Sequence, residues 1–167
     1  MDLTKYINDV PNFPKEGIIF KDIAPLLYSP EAFDYVINQM SEIAKDADVI
    51  VAPDARGFIF GTPVAYKTQK PFIMVRKPGK LPGKTISQSY DLEYGQNSLE
   101  IQAEVLKPGL KAVIIDDILA TGGTAQAIVE LLAKQGITVT DLIVLYDLKI
   151  YNPESVLGKV KIHSIMK

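Results

Sequence analysis

The stretch "VIIDDILATGGT" (113–124) ends an apolar run on two adjacent acids, Asp116 and Asp117, and follows them with Ala120, Thr121, Gly122, Gly123 and Thr124. Glycines after a buried strand let the backbone turn so that successive N–H groups face one point, where the following helix adds the positive end of its dipole. That combination is a cradle for phosphate. A Walker loop needs a lysine after its last glycine, where this chain has Thr124, and a dinucleotide fingerprint needs three spaced glycines, so neither template fits. An ordinary strand-to-helix turn would account for the glycines but not for two carboxylates directly ahead of them.

Carboxylates beside a phosphate repel it unless something separates them. A sugar does so: ribose hydroxyls donate to the acids while the 5′-phosphate rests in the glycine loop. The expected ligand is a ribose phosphate. Because side chains alternate along a strand, Asp116 and Asp117 both reach the sugar only if the strand has already bent there; otherwise one supports the other.

These groups must be positioned by elements the sequence also announces. "DVIVA" (48–52), "PFIMV" (71–75), "AVIID" (112–116) and "LIVLY" (142–146) are apolar throughout and do not alternate, as expected of strands buried on both faces. Helical patterns lie between them. Residues 30–45 put Phe33, Val36, Ile37, Met40 and Ile43 on one stripe, and residues 124–135 do the same with Ile128, Leu131 and Leu132 before Gly136. The alternation predicts an α/β fold, a mostly parallel twisted sheet flanked by helices, with ligands beyond the carboxyl ends of the strands. Residues 76–104 break the pattern. Lys77, Lys80 and Lys84 sit among two Pro-Gly pairs, and Ser98 to Gln102 alternate as in an antiparallel hairpin, which reads as a basic flexible loop on a β-ribbon.

The bulk numbers fit one domain over residues 1–167 that binds a small partner. Hydrophobic residues make up 47%, charged residues 23%, and the net charge is −2, which does not suit a nucleic-acid-binding surface. Cysteine is absent, excluding disulfides and thiolate metal sites, and "MDLTKYINDV" has no signal-peptide core, so the expected location is cytoplasmic. No apolar run reaches the ~20 residues of a membrane span. His163, the only histidine, lies in the alternation "KIHSI", as a half-exposed strand histidine would; Tyr6, Phe33, Tyr35 and Tyr66 are read as packing residues.

Together with the glycine loop, the stretches "FPKEGIIFKDIAPLL" (13–27), "DARGFIFGTPVA" (54–65), "VRKPGKLPG" (75–83) and "LEYG" (92–95) resemble the type I phosphoribosyltransferase family, in its adenine-using branch, over roughly residues 11–146. The resemblance implies transfer of the phosphoribosyl group of 5-phosphoribosyl 1-pyrophosphate (PRPP) to adenine, giving AMP and pyrophosphate in purine salvage. It implies Mg2+ carried by PRPP, with no metal ligand from protein side chains, a hood over about residues 1–30, a hairpin lid over about 76–104, and a homodimer. Asp116, Asp117 and Ala120 to Thr124 would hold PRPP or AMP; Arg56, Arg76 and Lys80 would lie near pyrophosphate. Glu93 and Tyr94 would enter with the lid, Glu93 accepting the N9 proton. The backbone of Ile19 and Lys21 would read adenine's edge, with Phe20 and Ile118 sandwiching the ring. Lys21 stands where the family commonly has arginine. A 6-oxopurine transferase is the sibling reading, and a PRPP-sensing regulatory module the reading from another class. The chain's length and its isoelectric point near 5.4 speak against the sensor.

Overall fold

The computed structural model describes residues 1–92, 95–149 and 157–166. Among them a five-stranded, wholly parallel sheet runs in the order β4-β3-β7-β8-β9, built from β3 (Val49–Pro53), β4 (Phe72–Val75), β7 (Lys111–Leu119), β8 (Thr138–Asp147) and β9 (Lys161–Ser164). β3 is buried at all five positions. This follows from its composition, since a strand covered by helices on both faces has no solvent side to mark with a polar residue.

Helices α2 (Pro30–Ile43) and α3 (Arg56–Thr68) cover one face and α4 (Gly123–Ala133) the other. Ser29 caps α2 by accepting from the Ala32 N–H, and Pro30 occupies the first helical position, where its missing N–H costs nothing. Val36, Ile37 and Met40 are buried as the stripe requires; Phe33 and Ile43 pack at its margin. α4 stops at Ala133, two residues before the expected limit, and turns out through Gly136 at φ +70°.

α3 was not foreseen, because "RGFIFGTPVAYKT" carries two glycines and a proline. Tertiary packing explains the glycines. A Cβ on Gly57 would meet Pro53 Cδ at 2.8 Å and the Ile115 carbonyl oxygen at 3.1 Å, and one on Gly61 would meet Ala52 Cβ at 2.8 Å. The helix lies so close to β3 and β7 that only hydrogen fits between, which brings the start of α3 to the acidic end of β7.

The remaining strands form two antiparallel ribbons. β1 (Asn8–Pro11) pairs with β2 (Ile19–Asp22), and with the short helix α1 (Ala24–Tyr28) they make the amino-terminal hood. β5 (Thr85–Leu92) pairs with β6 (Gly95–Gln102). This second ribbon is less of a free flap than its composition suggests. Leu99 and Ile101 are buried in the core beneath α4, Arg76 and Glu100 exchange backbone hydrogen bonds of 3.0 and 2.7 Å, and Gln88 donates to Glu130 of α4 at 2.7 Å. The ribbon's base belongs to the core.

The close approach of α3 yields a stability test. Gly61→Ala forces a contact 2.8 Å from Ala52 Cβ and 2.9 Å from the Phe72 ring, and is expected to cost about 1–3 kcal/mol by overpacking. Tyr66→Ala on the exposed side of the same helix should stay within about 0.5 kcal/mol of the parent. Urea denaturation of both variants checks this.

Candidate active site

β7 delivers its two acids to the start of α3, where a Cβ on Gly57 would stand 3.2 Å from Asp116 Oδ1 and Arg56 meets Asp117. Ile114 packs toward α4, whereas Val113 and Ile115 pack toward α2 and α3. Asp116 lines a small cavity of about 100 Å³ with Ile118, Ala120, Thr121, Gly122 and Thr124. Asp117 faces α3 and is 4% exposed, with Arg56 Nε 2.6 Å from its Oδ2. That nitrogen is close but badly aimed: Oδ2 is buried and has no aligned hydrogen-bond donor.

Asp116 is coupled to its neighbour. Burial, then the adjacent Asp117 charge, push its carboxyl well above the ordinary range, against the Asp117 N–H that donates to its Oδ1 at 2.8 Å. The protonated form is thus favoured in the fold.

The cradle has the expected construction. Gly122 caps α4 at φ +84°, its carbonyl accepting from the Gln126 N–H at 2.9 Å. N–H groups of the first helical turn have no acceptor within the helix, so they are available to an anion. The left-handed conformation belongs to Gly122; Gly123 has room for a Cβ, whose nearest neighbour would be Thr121 Oγ1 at 3.6 Å. Tyr90 of the hairpin stands next to it, its hydroxyl 3.5 Å from Thr124 Oγ1. Nothing in the local sequence singles Tyr90 out, because its place depends on how the ribbon docks.

Between the hood and the cradle lies a larger cavity of about 560 Å³, lined by Gly17, Ile18, Ile19, Lys21, Ala120, Thr121, Tyr146 and Leu148. Lys21 places its ammonium against Asp9 Oδ1 at 2.6 Å and over the Tyr146 ring, 5.0 Å from its centroid. Its carbonyl accepts from Arg56 Nη1 at 3.3 Å. Along an antiparallel strand, alternate residues turn their backbone groups to the partner strand and away from it. The Lys21 carbonyl is turned away from β1, and Pro11, opposite Ile19, has no N–H to give. Residues 19 and 21 thus offer an outward backbone edge. Phe20 meets Phe13 edge-on at 5.1 Å and carries the Arg56 guanidinium 4.7 Å over its ring. Ile118 is brought to the cradle cavity.

The basic residues divide. Arg76 donates to Asp54 Oδ2 at 2.8 Å and to the Lys80 carbonyl at 3.0 Å, gathering the ends of β3 and β4 with the 77–84 loop. Arg56 joins Asp117 and the hood instead. Glu93 and Tyr94 lie outside the described residues. His163 sits on β9 and pairs with Asp141 at 2.8 Å, remote in sequence from these groups and on the edge strand. Among the described residues no group of three or more His, Cys, Asp or Glu is placed to hold a metal ion, and no helix is long and apolar enough to cross a membrane.

A family model described as the phosphoribosyl transferase domain matches residues 26–165. The chain is 58% identical to an adenine phosphoribosyltransferase of Mycoplasmopsis pulmonis, covering 100% of this chain and 98% of that one. The crystal structure of adenine phosphoribosyltransferase from Thermoanaerobacter pseudethanolicus superposes with a TM-score of 0.94 at 43% identity, covering 99% and 98% of the two chains. The Saccharomyces cerevisiae adenine phosphoribosyltransferase, solved with an imino-altritol bisphosphate and adenine, gives 0.90 at 33% identity, covering 98% and 96%.

Three variants test the site's construction without any ligand. Gly122→Ala is expected to destabilise by about 1 kcal/mol or more from the left-handed backbone alone, and Gly123→Ala to stay within about 0.5 kcal/mol of the parent. Because its folded-state value is raised, Asp116 withdraws stability as pH rises above the ordinary carboxylate range. Asp116→Asn should therefore raise the melting temperature at pH 8 and shrink the difference between pH 8 and pH 5, as read by thermal denaturation across that range.

Proposed function

We propose the following roles from the premise that this chain belongs to the adenine phosphoribosyltransferase family. It is an adenine phosphoribosyltransferase, a pentosyltransferase that moves the 5-phosphoribosyl group of PRPP onto adenine and releases pyrophosphate. The observation that carries the assignment of roles is the buried Asp117 Oδ2, an acceptor without an aligned donor, next in sequence to Asp116, which lines the helix-terminal anion cradle. A ribose hydroxyl supplies the missing donor while the 5′-phosphate lies on the N–H groups of residues 121–124.

Displacing pyrophosphate from C1′ builds positive charge on the ribose ring and negative charge on the leaving group. Asp116 and Asp117 face the sugar's side of that separation, and Arg76 and Lys80 the leaving group's. The Mg2+ ion arrives on substrate oxygens. When bound there, Mg2+ offsets the negative charge developing on pyrophosphate. Arg76, locked between Asp54 and the Lys80 carbonyl, orients the 77–84 loop toward the same charge.

Adenine offers an amino donor and a ring acceptor on one edge, and the outward backbone edge of Ile19 and Lys21 offers a carbonyl and an N–H at fixed spacing. Phe20 and Ile118 supply the apolar faces for the ring. A 6-oxopurine would set carbonyl against carbonyl there, leaving buried groups unpaired at about 1–3 kcal/mol each. Glu93 takes the N9 proton, and Tyr94 enters the site beside it. The working form is a homodimer in the cytoplasm, which sedimentation would report as about twice the 18.4 kDa chain mass.

Three kinetic outcomes test this. Wild-type protein should form AMP from adenine and PRPP, with hypoxanthine and guanine at least about a hundredfold poorer in kcat/KM; equal turnover of hypoxanthine would overturn the backbone-reading model. Glu93→Gln should lower kcat by about 10²-fold with little change in either KM. Gly123→Ala, which the fold tolerates, should raise the KM for PRPP much more than that for adenine, because its new methyl group intrudes on the phosphate.

A further inference from the structure

Arg56 makes three contacts that no ordinary surface arginine makes at once. Its Nε is 2.6 Å from the buried Asp117 carboxylate, its Nη1 donates to the Lys21 carbonyl at 3.3 Å, and its Cζ lies 4.7 Å from the centroid of the Phe20 ring. A flat group that sits over Phe20 and donates N–H to the Lys21 carbonyl takes the ring face and the acceptor that an aminopurine would use. We propose that Arg56 is an internal competitor of the purine, holding the Phe20 face and the Lys21 edge until the ribose diphosphate draws it away. The proposal rests on the functional reading above and adds to it a coupling between the two substrate sites.

The chemistry gives the coupling its sign. Arg56 is held at the purine edge by Asp117, whose Oδ2 it satisfies poorly. A ribose hydroxyl donating to Asp117 weakens that hold, and a pyrophosphate brings several negative charges for which a guanidinium has a bidentate fit. Both effects disfavour the arrangement in which Arg56 covers Phe20. A purine that binds only the uncovered form has an apparent affinity reduced by the fraction of molecules uncovered. Loading the ribose phosphate and pyrophosphate sites therefore tightens purine binding, and by linkage the purine tightens theirs equally.

Covering also protects the fold. Phe20 is a half-buried ring, and Lys21, whose carbonyl is the backbone acceptor, lines the neighbouring cavity. Arg56 satisfies the carbonyl and shields the ring with a group tethered to the sheet.

Equilibrium binding tests this without turnover. Adenine is titrated calorimetrically into the full-length protein alone and with saturating ribose 5-phosphate plus inorganic pyrophosphate, which cannot react with adenine. Wild type should bind adenine about tenfold or more tightly in the loaded state. In R56A/D117N, which removes the competitor and the charge it would orphan, unloaded protein should already bind adenine about as tightly as loaded wild type, and the loading effect should vanish. Arg56→Lys keeps the charge beside Asp117 but loses the planar face, so it should also tighten adenine binding to the unloaded protein, and it serves if the double variant does not fold. Adenine affinity that ignores loading in wild type, or variants that bind unloaded adenine no tighter than wild type, would overturn the competition. Adenine binding to no state of wild type would instead overturn the functional reading beneath it.

Discussion

The site depends on bringing two carboxylates to the buried end of β7 within reach of a phosphate cradle. Left alone, adjacent acids at a strand end repel each other and any anion nearby. The fold meets this with a cation, Arg56, delivered beside Asp117 by the first residue of α3. The arrangement is only partly satisfied. Asp116 is driven toward its neutral form and Asp117 keeps a buried oxygen without an aligned donor. Such unrelieved groups are a cost to stability and an opening for a ligand that supplies what is missing.

Much of this was readable from the chain because it is local. The cradle is written in consecutive residues, with Gly122 at the position that needs a left-handed backbone, and the lack of alternation in residues 48–52 marks the burial of β3 on both sides, whereas the equally apolar run 71–75 forms the edge strand β4, which leaves Met74 38% exposed because no strand covers its outer side. Strand geometry alone would part Asp116 from Asp117, whereas Asp116 Oδ1 accepts from the Asp117 N–H at 2.8 Å and lies beside Gly57 of α3, the helix whose Arg56 meets Asp117. His163 on a half-exposed strand was legible for the same reason.

What was not legible depends on contacts between distant segments. Gly57 and Gly61 look like helix breakers until β3, β7 and Phe72 are placed against them. The ribbon's alternation gave its pairing but not that Leu99 and Ile101 belong to the core, since nothing in residues 85–102 shows what lies beneath. Tyr90 and Tyr146 reach the site only through the docking of a hairpin and the register of β8 beside β7. Arg56 is the sharpest case. A resemblance places it near pyrophosphate, whereas its contacts here run to Asp117, the Lys21 carbonyl and Phe20, a path across three elements that no sequence spacing encodes.

The central claim is that the acids at the end of β7 read sugar hydroxyls while the glycine loop reads phosphate. The direct test compares calorimetric binding of ribose 5-phosphate with that of tetrahydrofurfuryl phosphate, which keeps a ring and a phosphate but has no ring hydroxyls. Loss of the hydroxyls leaves the buried Asp117 oxygen unpaired, so the account predicts binding weaker by about tenfold or more. Equal affinities for the two phosphates would contradict it.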